Sequence, residues 1–156
     1  VGGVNYDITT PIGPRDVELL TKREVNGIVC GAGVIGTLPQ PEDELSFLSR
    51  LKAIFGVQAL QHNRLTGRSV RRVALCGGAG SFLLSAAIRA GANSFITGEI
   101  HYHDFFGHDG EILMVSMGHY ESEQFTPCIF ERLLREQFPT LRVEHTRVNT
   151  NPIQTL

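Results

Sequence analysis

Three short runs set what this chain can fold into. Val70-Arg71-Arg72-Val73-Ala74-Leu75-Cys76, Asn93-Ser94-Phe95-Ile96-Thr97 and Ile112-Leu113-Met114-Val115-Ser116-Met117 each stop at a glycine, Gly77, Gly98 and Gly118. Runs of this length and apolar content read as strands. After the first, Gly77-Gly78-Ala79-Gly80-Ser81 leads into a helix-like stretch, Phe82–Ala90, stopped by Gly91. Strand, glycine-rich turn and helix make an α/β unit. In an open α/β sheet the strand C-termini border the crevice where ligands bind. Glu99, His101, His103, Asp104, His119 and Glu123 follow these strand ends and are expected to gather at one edge.

His119 and Glu123 are the sharpest pair in that set. Gly118 allows a tight exit from the strand. A helix starting just after His119 puts the two side chains at i, i+4, where they converge. An imidazole and a carboxylate converging at a strand end is metal-ligand chemistry. The plain alternative is a capping residue and a surface glutamate. Further on, Pro127 must either kink this helix or sit in the first turn of a new one capped by Thr126. Ile129, Phe130, Leu133, Leu134 and Phe138 are then expected to be its buried face.

The remaining segments carry weaker signals. Val4–Ile8 alternates like a strand, and Asp16–Glu24 reads as a polar turn or a short helix. Gly31, Gly33 and Gly36 spell the dinucleotide fingerprint Gly-x-Gly-x-x-Gly. Pro39 and Pro41 would break the helix that this motif needs, so an extended segment entering a proline turn is expected. Glu42–Phe55 has helical periodicity in Leu45, Leu48, Leu51, Ile54 and Phe55, with Phe47 beside the stripe and Gly56 as a stop. Val57–Leu60 suggests a short strand, Gln61–Ser69 a loop with His62 at the surface, and Leu141–Val148 a final strand. Gly77–Ser81 suits either an anion-holding turn or close packing of strand and helix.

Composition narrows the function classes. A net charge of −2 gives no electrostatic case for nucleic acid or an anionic membrane. No apolar run reaches the roughly 18 residues of a membrane span. Three cysteines without zinc spacing suggest reduced thiols in a cytoplasmic protein. The opening Val1-Gly2-Gly3 lacks the basic and apolar regions of a signal peptide.

Taken in order, Gly33-Val34-Ile35-Gly36-Thr37-Leu38-Pro39, Val73–Ser81, Thr97-Gly98-Glu99-Ile100-His101-Tyr102-His103-Asp104 and Gly118-His119-Tyr120-Glu121-Ser122-Glu123 resemble a known family. They look like the C-terminal half of the NGG-interacting-factor-three-like dinuclear-metal proteins, whose members are often called GTP cyclohydrolase I type 2 homologues. The resemblance implies an α/β fold, a layered sheet with helices packed on it, forming the C-terminal lobe of a two-lobed dinuclear-metal protein. It covers roughly residues 27–152, which leaves 1–26 as the end of an inserted domain or a linker and 27–156 as the lobe. It implies His119 and Glu123 as metal ligands, and Glu99, His103 and Asp104 as groups lining the site, with Glu99 or His103 as a proton shuttle. The implied cofactors are two divalent metal ions per full-length subunit, with Zn, Fe, Mn and Co all compatible. The implied partners are the missing N-terminal half of the same chain, with its His pair, and further copies in a hexamer. A hydrolase-like enzyme, a metallochaperone-like or regulatory scaffold without turnover, and a nucleotide-binding module are the competing functional readings.

Overall fold

The computed structural model describes residues 3–154. Along the chain the elements are α1 (Val4–Thr9), β1 (Arg15–Leu19), β2 (Arg23–Val25), β3 (Ile28–Cys30), β4 (Val34–Glu42), α2 (Glu44–Phe55), β5 (Gln61–His62), β6 (Val70–Cys76), α3 (Leu84–Arg89), β7 (Ser94–Thr97), β8 (Leu113–Ser116), α4 (His119–Glu123) and α5 (Thr126–Gln137). Single 3-10 turns lie at Thr10–Ile12, Ser81–Leu83 and Tyr102–Phe105.

Six strands form one mixed sheet in the order β1-β4-β6-β7-β8-β5. The three expected strands, β6, β7 and β8, pair in parallel at its centre. β4 and β1 extend it antiparallel on one side, and β5 on the other. Side chains alternate between two cores. Val73, Leu75, Ile96 and Val115 pack with α1 and α2, and Ala74, Cys76, Phe95 and Met114 pack with α3. Burial on both faces is why these strands are apolar almost without interruption.

β4 corrects the expected proline turn. It pairs with β6 from Val34 to Thr37 and again at Glu42, with an irregularity between. Pro39 and Pro41 occupy that gap, where no ladder N–H is required. α2 begins at Asp43, whose carboxylate accepts the Ser46 N–H at 3.0 Å, and closes on left-handed Gly56. Its buried stripe is Phe47, Leu48, Leu51 and Phe55, while Leu45 faces solvent. The helix is rotated so that Phe47 and Phe55 both enter the core.

Other expectations also change. Val4–Ile8 is part of helix α1 rather than a strand, because Ile8 and Ile12, one turn apart, both enter the core. Asp16–Glu24 supplies β1 and the start of the separate β2–β3 hairpin. Asn26 and Gly27 join that hairpin with φ of 52° and 77°, the backbone that an Asn-Gly connection favours. The strand expected at Val57–Leu60 falls instead at Gln61–His62, set by pairing with β8. Leu141–Val148 forms no strand, since Leu141 and Val148 find no core face and stay exposed. Residues 4–19 pack against the rest through Ile8, Ile12 and the β1–β4 ladder.

α4 and α5 are two helices, with Pro127 in the first turn of α5 where its missing N–H is harmless. Thr126 is the first helical residue, and Phe125 stands at the cap position. Only Ile129 of α5 is buried. Phe130, Leu133, Leu134 and Phe138 are exposed, which overturns the expected buried face.

Candidate functional site

Because β6, β7 and β8 are parallel, the turns that follow them meet at one edge. The Gly78 carbonyl accepts the N–H groups of Gly98 and Glu99 at 2.9 and 3.2 Å and the Thr97 hydroxyl at 3.0 Å. The Gly118 N–H donates to the Gly98 carbonyl at 2.9 Å. A Cβ at Gly98 would lie 2.6 Å from Ser122 Oγ, 2.8 Å from the Gly78 carbonyl oxygen and 3.0 Å from that of Gly118. The three turns therefore stack backbone on backbone, and only glycine fits at their centre.

This stacking decides between the two readings of Gly77–Ser81. The Gly77 N–H donates to Asn5 Oδ1, that of Gly78 to Ser122 Oγ and that of Gly80 to Thr97 Oγ1, each at 2.9 Å. These three donors are used within the protein, so this part of the turn serves close packing of strand and helix. Gly31–Gly36 lies in and between strands, and strand β4 rather than a helix opens at its glycines, so the dinucleotide reading falls.

On this platform His119 stands between two carboxylates. Its Nδ1 is 3.0 Å from Glu99 Oε1 and its Nε2 is 3.4 Å from Glu123 Oε2. An ionised carboxylate only accepts, so in the neutral ring the proton sits on Nδ1, and Nε2 turns its lone pair toward Glu123. The 3.4 Å gap is long for a hydrogen bond. It matches the edge, about 3.3–3.4 Å, of a coordination tetrahedron with bonds of about 2.0–2.1 Å. Gly78 keeps this side open, since a Cβ there would lie 2.7 Å from Glu123 Oε1 and 3.3 Å from His119 Nε2. His119 and Glu123 thus fit two ligands of one ion. Glu99, on the opposite nitrogen, fits the carboxylate that fixes a ligating imidazole. Among the described residues no three His, Cys, Asp or Glu side chains converge to hold an ion together.

The other expected members stand apart. His101 and Asp104 pair with each other at 3.4 Å. The Ser81 hydroxyl, with help from His101, holds the Asp104 carboxyl below its ordinary range. His103 is exposed and lies edge-on to Tyr102, with ring centroids 5.3 Å apart and no carboxylate within ion-pair distance among the described residues. His103 lies within the 3-10 turn at Tyr102–Phe105, where its side chain packs against that of Tyr102. Burial pushes the Cys76 thiol up, and Cys30, Cys76 and Cys128 are all free.

Ser122 is the residue that sequence reading passed over. It is 2% exposed, accepts the Gly78 N–H and donates to the His119 carbonyl at 2.8 Å. It ties the β6 turn to the start of α4, and so fixes where His119 and Glu123 stand. Its signal was its place one turn after His119, facing the glycine turn.

Among the described residues no helix is long and apolar enough to cross a membrane. The family model Duf34/NIF3 (NGG1p interacting factor 3) matches residues 1–152. A Lactococcus lactis protein named GTP cyclohydrolase 1 type 2 homolog is 32% identical over 97% of this chain, which spans 57% of that relative. A Mycobacterium leprae protein of the same name is 36% identical over 78% of the chain and 33% of the relative. The chain thus spans between about a third and just over half of these relatives. Among solved structures, a Staphylococcus aureus protein superimposes with a TM-score of 0.83 at 16% identity, covering 99% of this chain and 65% of the other. A Bacillus cereus protein related to NIF3 gives 0.81 at 15%, covering 100% and 70%. At such identities the structural likeness is one of fold, and it is the match along nearly the whole sequence that makes this chain a member of the Duf34/NIF3 family.

Proposed function

We propose that this chain provides one wall of a divalent-metal site in a hydrolase-like protein, with His119 Nε2 and Glu123 as its ligands. The observation that supports this is the His119 imidazole placed between Glu99 on Nδ1 and Glu123 on Nε2. Glu99 holds the ring in the tautomer that leaves Nε2 free, and Ser122 holds the backbone from which the ring projects. Two protein ligands bind an ion weakly, since a zinc site usually takes about three or four. The remaining ligands of a dinuclear centre would come from the part of the longer relatives that this chain does not span. Bound there, divalent ions would activate a water and polarise a substrate oxygen. Glu99, half exposed and hydrogen-bonded to Nδ1 on the far side of the ring from the ion, would take up a released proton only by way of the His119 imidazole or a water.

A second reading is a metal carrier without turnover. In this chain His119 and Glu123 are 47% and 44% exposed, and a two-ligand edge that stayed open in the longer protein would release an ion easily, as a carrier requires. Both readings meet the same first test. Titration calorimetry with Zn²⁺ and Mn²⁺ is expected to show binding that His119→Ala removes, and unchanged binding would sink the ligand assignment. Assaying metal-loaded protein on phosphoesters and nucleotides then separates enzyme from carrier.

A further inference from the structure

A second concave surface begins where the strand-end cluster stops. Ile100, the residue after Glu99, forms part of a groove of about 780 Å³, within the size range of small-molecule sites. The opposite wall is residues 60–64, and Asn63 makes it rigid. The buried Asn63 amide donates from Nδ2 to the Ile112 carbonyl and accepts the Met114 N–H on Oδ1, each at 2.9 Å, extending the β5–β8 ladder with a side chain. Ile100 and Phe105 are anchored in the core beneath.

Above this fixed floor two aromatic rings stand in water. Tyr102 and Phe106 are 72% and 61% exposed, with centroids 5.1 Å apart and planes at 76°. Two rings at that angle form a corner, in which a third flat ring can stack on one and meet the edge of the other. Charge orients the corner. Arg64 lines the groove and makes no ion pair among the described residues, and Asp109 lines it elsewhere without one. An anionic group is drawn to Arg64 and kept from Asp109.

We propose that this groove binds a planar aromatic acid, its ring against Tyr102 and Phe106 and its anionic group on Arg64. The proposal does not depend on metal binding at His119. The test uses 2-naphthoate on the 156-residue chain without metal, followed by fluorescence and by amide shift mapping. 2-Naphthalenemethanol and cyclohexanecarboxylate separate ring from charge. Saturable binding of 2-naphthoate alone, with shifts at Arg64, Tyr102 and Phe106, is expected. Arg64→Gln is expected to weaken it about tenfold or more, and Tyr102→Ala about threefold to tenfold. Both side chains are exposed, so circular dichroism should confirm native variants. Absence of saturation at millimolar probe, equal binding of the alcohol, or indifference to both variants overturns the proposal. So does self-association of the chain that Tyr102→Ala abolishes without any naphthoate binding, which would make the groove an interface between copies.

Discussion

Two glycine-rich stretches of this chain look alike on paper and do different things. In Gly31-Ala32-Gly33-Val34-Ile35-Gly36 the glycines let strands approach each other. A Cβ at Gly31 would strike the Thr21 carbonyl, and one at Gly36 would lie 2.9–3.0 Å from Pro14, the Arg15 carbonyl and Val17. In Gly77-Gly78-Ala79-Gly80 a Cβ would meet Ile8, Glu123 and Ser122 at Gly77, Glu123 and His119 at Gly78, and Thr97 and Cys76 at Gly80. The first stretch looks onto backbone and apolar atoms throughout, whereas the second packs in the same way at Gly77 and Gly80 but at Gly78 looks onto His119 and Glu123. A glycine pattern therefore announces close approach, and only the approaching group says whether the result is packing or chemistry.

The largest expected effects come from adding one methyl to each stretch. Gly36→Ala forces β1 away from β4, an overpacking cost of about 1–3 kcal/mol. It should leave Zn²⁺ affinity unchanged, because no site residue touches that methyl. Gly78→Ala places a side chain at φ 66°, which costs about 1–2 kcal/mol. It also drives Glu123 from His119, so metal affinity should fall about 10–100-fold. Urea denaturation and calorimetry on both variants read the two effects separately. If Gly36→Ala weakens metal binding as much as Gly78→Ala does, the distinction collapses.

A smaller effect on metal affinity is expected at Ser122. Ser122→Ala leaves the buried Gly78 N–H without its acceptor, a cost of about 1–3 kcal/mol. The His119 backbone loses its tie at the same time, so metal affinity should drop about tenfold. Ser122→Thr retains the hydroxyl and should recover the affinity if its methyl is accommodated. An alanine variant that loses stability with undiminished metal affinity would reduce Ser122 to a packing role.

How much of this was legible follows from where each signal lies. β6, β7 and β8 could be read because both faces are buried, so their apolar runs are short, continuous and closed by glycine. The His119–Glu123 pair could be read because i, i+4 spacing survives any orientation of a helix. α1 could not, since Val4-Asn5-Tyr6-Asp7-Ile8 fits a strand equally well. Its helix is fixed by distant contacts, with Ile8 in the core and Asn5 on the Gly77 N–H. The exposed face of α5 was illegible for a different reason. Periodicity reveals that Phe130, Leu133 and Leu134 share a face with Ile129, not whether anything in this chain covers it. For His103, closeness in sequence to Glu99 says little about its partners once a 3-10 turn intervenes.

The smallest effect sharpens the comparison through pH. Ser81 closes the second glycine stretch, and its hydroxyl is the main reason the Asp104 carboxyl titrates below the ordinary range. A carboxyl whose pKa is lower in the folded than in the unfolded chain stabilises the fold above its unfolded value, near 3.9. That contribution fades as pH falls through the folded value. Ser81→Ala should therefore destabilise slightly at pH 7, and variant and wild type should converge in acid as far as Asp104 is concerned. Carboxyl-detected NMR titration should place Asp104 higher in the variant. The deficit of Gly36→Ala, which sets a methyl against Pro14, Val17 and a carbonyl, involves no titrating group and should persist at both pH values. A Ser81→Ala deficit that also persists in acid would mean that the hydroxyl supports the turn sterically, and that the second stretch differs from the first only in its metal-facing half.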